Sequence, residues 1–305
     1  MSANSKAITA PRGIRGWYHT NRQRPWMRSL EVLVRHPLAQ IGFIGFLAIT
    51  LLTILAPSVA PYDPIKMDFR NMLTGPSAAH PFGTDDLGRD VLSRVLFGGR
   101  ESMKAGYFAI LIGLSGGVVI GLITGYFGGW VDDLTQRVIE IFWAFPTILL
   151  LLSIIAAFGP NLTTVIIAIG FASIPGYARL LRGSVIQAKN FEYVTSAKIV
   201  GSGAGRIMFK HILPNIISPI LIYGTLDLAG AIMMTAGLSY LGLGAQPPSP
   251  EWGAMLNYGR EYLRIAPWMS FFPGFAIFLT MLFVNLIGNG MRDALDPKTR
   301  KEKTI

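Results

Sequence analysis

Residues 141–178 read IFWAFPTILLLLSIIAAFGPNLTTVIIAIGFASIPGYA and contain no Lys, Arg, Asp or Glu. A helix crosses a bilayer with about 20 apolar residues, so these 38 residues suffice for two crossings. The central Gly159-Pro160-Asn161 is a strong turn signal. The stretch therefore predicts two membrane spans joined by a tight hairpin.

The rest of the chain follows the same pattern. Of the 305 residues, 51% are hydrophobic and only 14% are charged, against about 25% charged residues in a soluble domain. Four more windows can cross a bilayer, and the last is interrupted only by Asp227: 36–62, 105–131, 265–291 and 211–250. We predict an all-α polytopic membrane protein with six transmembrane helices, at about 38–60, 105–127, 138–158, 163–181, 216–238 and 270–290.

The distribution of basic residues predicts the orientation. With both termini in the cytoplasm, the inner segments carry 19 of the 27 Lys and Arg, and eight Asp and Glu balance the eight basic residues of the outer loops. Positive residues concentrate on the cytoplasmic side of membrane proteins, which favours N-in and C-in. Topology and anionic headgroups then account for the net charge of +10, and no nucleic-acid partner is predicted.

This topology divides the chain into five parts. A cytoplasmic arm (1–37) precedes the first helix (38–60), and an extracytoplasmic loop (61–104) precedes a five-helix core (105–290) with a cytoplasmic loop (182–214) and a tail (291–305). Within the outer loop we expect an amphipathic elbow helix that begins after Asp85 or Asp86 and places Leu87, Val91 and Val95 on one face.

Glycines mark one face of the second span at four-residue spacing: Gly113, Gly117, Gly121 and Gly125. Such a stripe allows another helix to approach closely and to gain van der Waals contacts that lipid does not supply. We therefore predict a helix-packing face. The pattern does not tell whether the neighbouring helix belongs to this chain or to a second subunit.

Asp227 is the only formal charge near the middle of a span. A carboxylate at that depth costs about 2.5 to 3.5 kcal/mol on insertion scales, so it requires water or a polar partner. Two interpretations stay open. Asp227 lines a translocation path, or it is hydrogen-bonded to Thr225 or to hydroxyl groups of another helix.

The cytoplasmic loop 182–214 predicts two short helices separated by a glycine. Asn190 is suited to cap the first helix, with Glu192 in its first turn, and Gly201 is suited to the left-handed position that ends it. A second helix is expected from about Ser202, with Pro214 opening the next span. We interpret this loop as a docking surface for a cytoplasmic partner; the alternative is a helix pair lying on lipid headgroups.

The same loop resembles a known motif. Thr195-Ser196-Ala197, three residues, Gly201, nine residues and His211-Ile212-Leu213-Pro214 are similar to the EAA loop of binding-protein-dependent ABC importers. Thr195, Ser196 and His211 depart from the usual residues, whereas the spacing, the glycine and the Leu-Pro end agree. Three further stretches resemble the C-type permease subunit of the dipeptide, oligopeptide, nickel and glutathione importers: HPFGTDDLGRDVLSR (80–94), LSYLGLGAQPPSPEWG (238–253) and RDALDP (292–297).

The resemblance implies a type I ABC importer (MetI-like) permease fold in the bacterial inner membrane. It implies a homologous second permease subunit, two ATPase subunits that hold ATP and Mg²⁺, and an extracytoplasmic substrate-binding protein that delivers peptides or peptide-like small solutes. The coupling contacts to the ATPase would fall on Glu192, Tyr193, Thr195, Ser196, Ala197, Gly201, Leu213 and Pro214.

Other functional classes fit the sequence less well. No GxxxxGK[ST] motif occurs, so the chain lacks the usual phosphate loop for ATP. A serine motif at 113–116 lacks a histidine in another span, and no HExxH occurs. We therefore predict no catalytic residue, metal ligand or cofactor on the chain. The alternative function is an ion-coupled secondary transporter or channel, although such carriers usually place several ionisable groups at mid-membrane.

Overall fold

The computed structural model describes residues 37–295, so most of the arm 1–37 and the last ten residues lie outside the described part. We number the main helices α1 Pro37–Ile54, α2 Val91–Phe127, α3 Gly129–Ala144, α4 Thr147–Phe158, α5 Leu162–Ala188, α6 Glu192–Ile199, α7 Ile217–Tyr240, α8 Trp252–Gly259 and α9 Trp268–Leu295. Shorter helical turns are Ala56–Val59, Phe69–Asn71, Ala204–Arg206, the π-helical Ile207–Ile212, Leu213–Asn215 and Arg260–Tyr262.

The all-α prediction is confirmed, since residues 37–295 contain helices and loops but no β-strand. Within this described range, five helices are long and apolar enough to cross a membrane: α1, α2, α5, α7 and α9. α3 and α4 are apolar enough together to form a sixth span, but an 87° bend separates their axes, so the pair is either a broken span or a re-entrant loop. The bend falls at Phe145-Pro146, where the proline lacks an N–H and forces the preceding residue into an extended conformation.

The predicted start of the elbow helix, after Asp85 or Asp86, is wrong, since Leu87 lies outside the helix. Asp85 Oδ1 accepts hydrogen bonds from the backbone N–H groups of Leu87 and Arg89, both at 2.9 Å, and this closes a loop instead of a helical turn. The helix begins only at Val91, where the Asp90 carboxylate accepts the Ser93 N–H at 2.7 Å. From there α2 continues for 37 residues without a break between the outer loop and the second span.

The longest helix contact joins α2 to α5, and the glycine stripe lies in it. A Cβ atom added to Gly121 would lie 2.6 Å from Leu181 Cβ, and one added to Gly125 would lie 2.7 Å from Val185 Cβ. Gly113 and Gly117 face Ser173 and Tyr177 in the same way. The neighbour of the stripe is therefore a helix of this chain.

The other long helices assemble around this pair. α7 contacts α2, α5 and α9, and α1 packs on α9, where Gly42 and Gly45 meet Phe283. α8 lies between α7 and α9 at the end predicted to be extracytoplasmic, which we call the outer end. There the buried Glu251 carboxylate caps α8 through the Ala254 N–H and accepts the Ser102 hydroxyl of α2 at 2.8 Å. This contact ties the segment before α9 to α2.

An ionic cluster closes the outer end of α2. Asp85 Oδ2 lies 2.7 Å from Arg89 Nε and 3.6 Å from Arg94 Nε, and all three side chains are buried. The His80 ring lies 2.9 Å from Asp90, and Trp268 of α9 donates to the Thr84 carbonyl. Ion pairs and hydrogen bonds thus connect the 80–94 stretch to the start of α2 and to α9.

We predict that Gly121→Ala destabilises the protein by about 1–3 kcal/mol, because the added methyl group overpacks the α2–α5 contact. The check is thermal unfolding of the purified protein in mild detergent. Gly183→Ala on α5 is the matched control, since nothing lies within 4 Å of its added Cβ. Equal melting temperatures for the two variants would contradict the prediction.

We also predict that Asp85→Asn costs about 3–5 kcal/mol of stability, because two buried guanidinium groups lose their shared carboxylate. The measurement is again thermal unfolding. Glu101→Gln is the control, because its ion pair with Lys104 is largely exposed and should leave the melting temperature unchanged. An Asp85 variant as stable as the control would show that the cluster contributes little.

Candidate functional site

The cytoplasmic loop begins later than predicted, because α5 continues to Ala188. After α6 ends at Ile199, Gly201 adopts a left-handed conformation with φ of +81°. Its N–H donates to the Lys198 carbonyl at 2.9 Å, and the Ser202 N–H donates to the Ala197 carbonyl at 3.0 Å. These bonds close the end of α6 and turn the chain into the helical segment 204–215. We call residues 191–201 the α6 turn.

Two local details of this loop differ from the sequence analysis. The N-cap of α6 is Phe191 without a side-chain cap, while the Asn190 amide donates back to the Ile186 carbonyl at the end of α5. Pro214 does not open the span itself. It lies in the Leu213–Asn215 turn, and α7 begins at Ile217.

The α6 turn is anchored from behind by apolar side chains. Val194 is fully buried together with Ile207 and Ile212, and this cluster also contains Leu181 and Val185 of α5. Two lysines add polar ties to the end of α2. Lys189 Nζ donates to the Gly125 carbonyl at 3.1 Å, and Lys198 Nζ lies 5.5 Å from the centre of the Tyr126 ring. A displacement of the α6 turn therefore acts directly on the inner ends of α2 and α5.

The opposite side of the α6 turn is open. The structure brings the predicted coupling residues to this region and leaves most of them exposed: Glu192, Tyr193, Thr195, Ser196, Gly201 and Pro214 are exposed, and Ala197 and Leu213 are half-buried. Sequence reasoning did not single out Ile199 and Phe191, although Ile199 is 80% exposed beside Val200 at 84%. The sequence signal that could have identified them is the presence of three apolar residues, Phe191, Ile199 and Val200, in this short loop. An apolar tip on a rigid base is suited to bind a protein partner.

A second group of side chains fixes the bent third span. Arg182 of α5 donates two hydrogen bonds to the Asp132 carboxylate of α3, at 2.5 and 2.6 Å. The Arg179 guanidinium lies 3.7 Å from the centre of the Trp143 ring. Sequence reasoning missed these contacts because the partners are 36 and 50 residues apart in the chain. Both basic residues are thereby engaged with α3.

Asp227 lies in the middle of α7. The Tyr177 hydroxyl of α5 donates to Asp227 Oδ2 at 3.0 Å, whereas the Thr225 hydroxyl donates to the Leu221 carbonyl of its own helix. The structure thus provides the hydroxyl of another helix and not that of Thr225. Asp227 is only partly buried, so a role in lining a path stays a prediction.

At the outer end, Tyr262 adds one more contact to the ionic cluster. Its hydroxyl donates to Asp86 Oδ2 at 3.5 Å. The Asp86 carboxylate raises the pKa of this phenol, because a phenolate would be repelled by the negative charge. Among residues 37–295, no group of three or more His, Cys, Asp or Glu is arranged to hold a metal ion.

The five to six candidate spans within residues 37–295 define the class of protein, a polytopic helical membrane protein, and its inner end carries an exposed apolar tip. Residues 117–301 match the family described as binding-protein-dependent transport system inner membrane component, and residues 24–76 match the N-terminal TM domain of oligopeptide transport permease C. The chain belongs to this family of binding-protein-dependent transport permeases.

Related proteins agree with this assignment. The chain is 44% identical to the dipeptide transport system permease protein DppC of Alkalihalophilus pseudofirmus over 276 residues, which cover 90% of this chain and 91% of the relative. It is 42% identical to the glutathione transport system permease protein GsiD of Pectobacterium atrosepticum, covering 90% of this chain and 92% of the relative. The predicted family resemblance is therefore confirmed.

The fold also has a solved counterpart. The inward-facing MetNI methionine ABC transporter contains a chain with a TM-score of 0.50 and 19% identity, covering 68% of this chain and 97% of that chain. This likeness and the family membership confirm the type I importer fold. The protein is a multi-pass permease of the bacterial inner membrane, and the alternative of a self-sufficient ion-coupled carrier is not supported.

Proposed function

We propose that this chain is the permease subunit of an ATP-driven importer for peptides or peptide-like small solutes. The observation that carries the proposal is the α6 turn, whose apolar tip is exposed while its base is packed on α2 and α5. The proposed partners are those that the family resemblance implies. An extracytoplasmic binding protein delivers the solute, a homologous second permease completes the path, and two ATPase subunits hold ATP and Mg²⁺.

The chain itself supplies a mechanical connection in this scheme. In this scheme Ile199 and Val200 contact the surface of an ATPase subunit. When nucleotide binding closes the ATPase pair, that surface moves the α6 turn. Val194 transmits this displacement to α5 and α2, because it is packed against side chains of both helices. Lys189, at the end of α5, links α5 to the Gly125 carbonyl of α2. Since glycines hold α2 and α5 together at close range, the two helices move as one body.

The solute class follows from the relatives. Permeases named for dipeptide and for glutathione transport are both above 40% identical to this chain over most of its length. Both solutes are small, polar and built from amino acids. In the proposed permease, Asp227 lines the path between the two permease subunits.

The coupling role predicts the effect of substitutions at the apolar tip. Val200→Asp should weaken binding of the ATPase subunits at least about tenfold, equivalent to about 1.4 kcal/mol, because a charge replaces a buried apolar contact. Gly201→Val should have a comparable effect, since a β-branched residue is strained at φ of +81° and shifts the tip. The measurements are copurification of the ATPase subunits and ATP-dependent uptake in vesicles.

Phe69→Asp is the control for assembly, because Phe69 is also apolar and largely exposed but lies in the outer loop. Insertion and melting temperature should match the wild type for Val200→Asp, whose side chain packs on little of the protein. Undiminished uptake by Val200→Asp and Gly201→Val would refute the coupling role of the α6 turn.

A further inference from the structure

Asp227 differs from the other buried or half-buried carboxylates in residues 37–295. Asp85 and Asp132 are each paired with arginine, and Asp86 lies 3.9 Å from Arg89. Asp90 is bound by the His80 ring, and Glu251 is held by a hydroxyl and a backbone N–H. Asp227 has only the Tyr177 phenol, which occupies Oδ2. Oδ1 makes no hydrogen bond within the described residues, and Asp227 is only partly buried.

No basic side chain of the described part forms an ion pair with Asp227. The two arginines that follow Tyr177 along α5 are already engaged. Arg179 lies over the Trp143 ring, and Arg182 binds Asp132. The carboxyl group in the middle of α7 therefore lacks a cation of its own within the described residues, and an ionised carboxylate at membrane depth is costly without one.

The surroundings of Asp227 leave room for a cation. Tyr223, one turn earlier on α7, is partly exposed, and its ring stands edge-on to the buried Tyr177 ring at 4.8 Å between centres. Gly230 and Gly237 continue the same face toward the outer end, and nothing lies within 4 Å of a Cβ added at either position. A carboxylate beside an aromatic ring is a favourable environment for an ammonium group.

We propose that Asp227 Oδ1 and the Tyr223 ring form a transient binding site for the protonated amine of the transported solute. The inference rests on the proposed function and names the part of the solute that the path recognises. Dipeptides and glutathione differ in length and side chains, but each carries one free α-ammonium group. Tyr177 is a positioning residue in this site, because its hydroxyl holds Oδ2 and leaves Oδ1 directed to the solute.

The first test detects the charge of Asp227 at the exposed face of α7, in the absence of any solute. The chain contains no cysteine, so a single Gly230→Cys introduces one thiol, one turn from Asp227. In the assembled complex, a cationic methanethiosulfonate reagent should modify this thiol about tenfold faster than an anionic one of similar size, because the carboxylate lies within a few ångströms. Asp227→Asn in the same background should abolish that preference.

Gly237→Cys is the matched control for position. It lies ten residues from Asp227, about 15 Å along the helix, where salt screens most of the charge. Its thiol should react with both reagents at similar rates, whereas the buried Leu228→Cys should not react. An unreactive Gly230→Cys in the complex would mean that a partner covers this face. That result, or an absent charge preference, would overturn the proposal.

The second test measures ATP-dependent uptake of dialanine by the reconstituted complex with its binding protein. Asp227→Asn should lower the maximal uptake rate about tenfold with an unchanged half-saturating concentration of loaded binding protein, and Asp227→Glu should restore most of it. Equal rates for wild type and Asp227→Asn would overturn the ammonium site and leave the proposed function intact. A wild-type complex without ATP-dependent uptake of dialanine or glutathione would instead refute the proposed function.

Discussion

The close contact between α2 and α5 is the constraint on which the rest of the molecule depends. Two helices in lipid gain little from the hydrophobic effect, so they associate through van der Waals contact at short range. The glycine stripe permits that range, and the inner ends of both helices then form the base for Val194 and the α6 turn. A wider separation would leave the docking tip without a rigid support.

In each region, the charged side chains lie where water or an oppositely charged side chain stabilises them. At the outer end, Asp85, Arg89 and Arg94 are buried but bound to one another, and they join the start of α2 to the loop before it. At the inner end of α5, Arg182 and Asp132 hold the bent third span. Within the described residues, mid-membrane Asp227 has only the Tyr177 phenol as a partner, and this incomplete pairing is the basis of the proposed ligand role.

Predictions that depend on local sequence and predictions that depend on long-range packing agree with the structure to different degrees. Charge-free windows located the spans, because hydropathy depends on composition alone. The start of α2 was misplaced because the residues around Asp85 carry a helix-like pattern, yet Asp85 binds its own backbone and Gly88 adopts a left-handed φ of +72°. The sharp bend in the third span was also beyond reach, since a proline marks a break without setting its angle.

The sequence by itself determined where the apolar segments lie, the family and the position of the turn at Gly201, since these depend on local composition and on motif spacing. Only the tertiary structure decided which helix faces the glycine stripe and which hydroxyl reaches Asp227. Tyr177 and Asp227 lie 50 residues apart, as do Asp132 and Arg182. Such pairs are set by the relative placement of whole helices, and no periodicity within one helix encodes it.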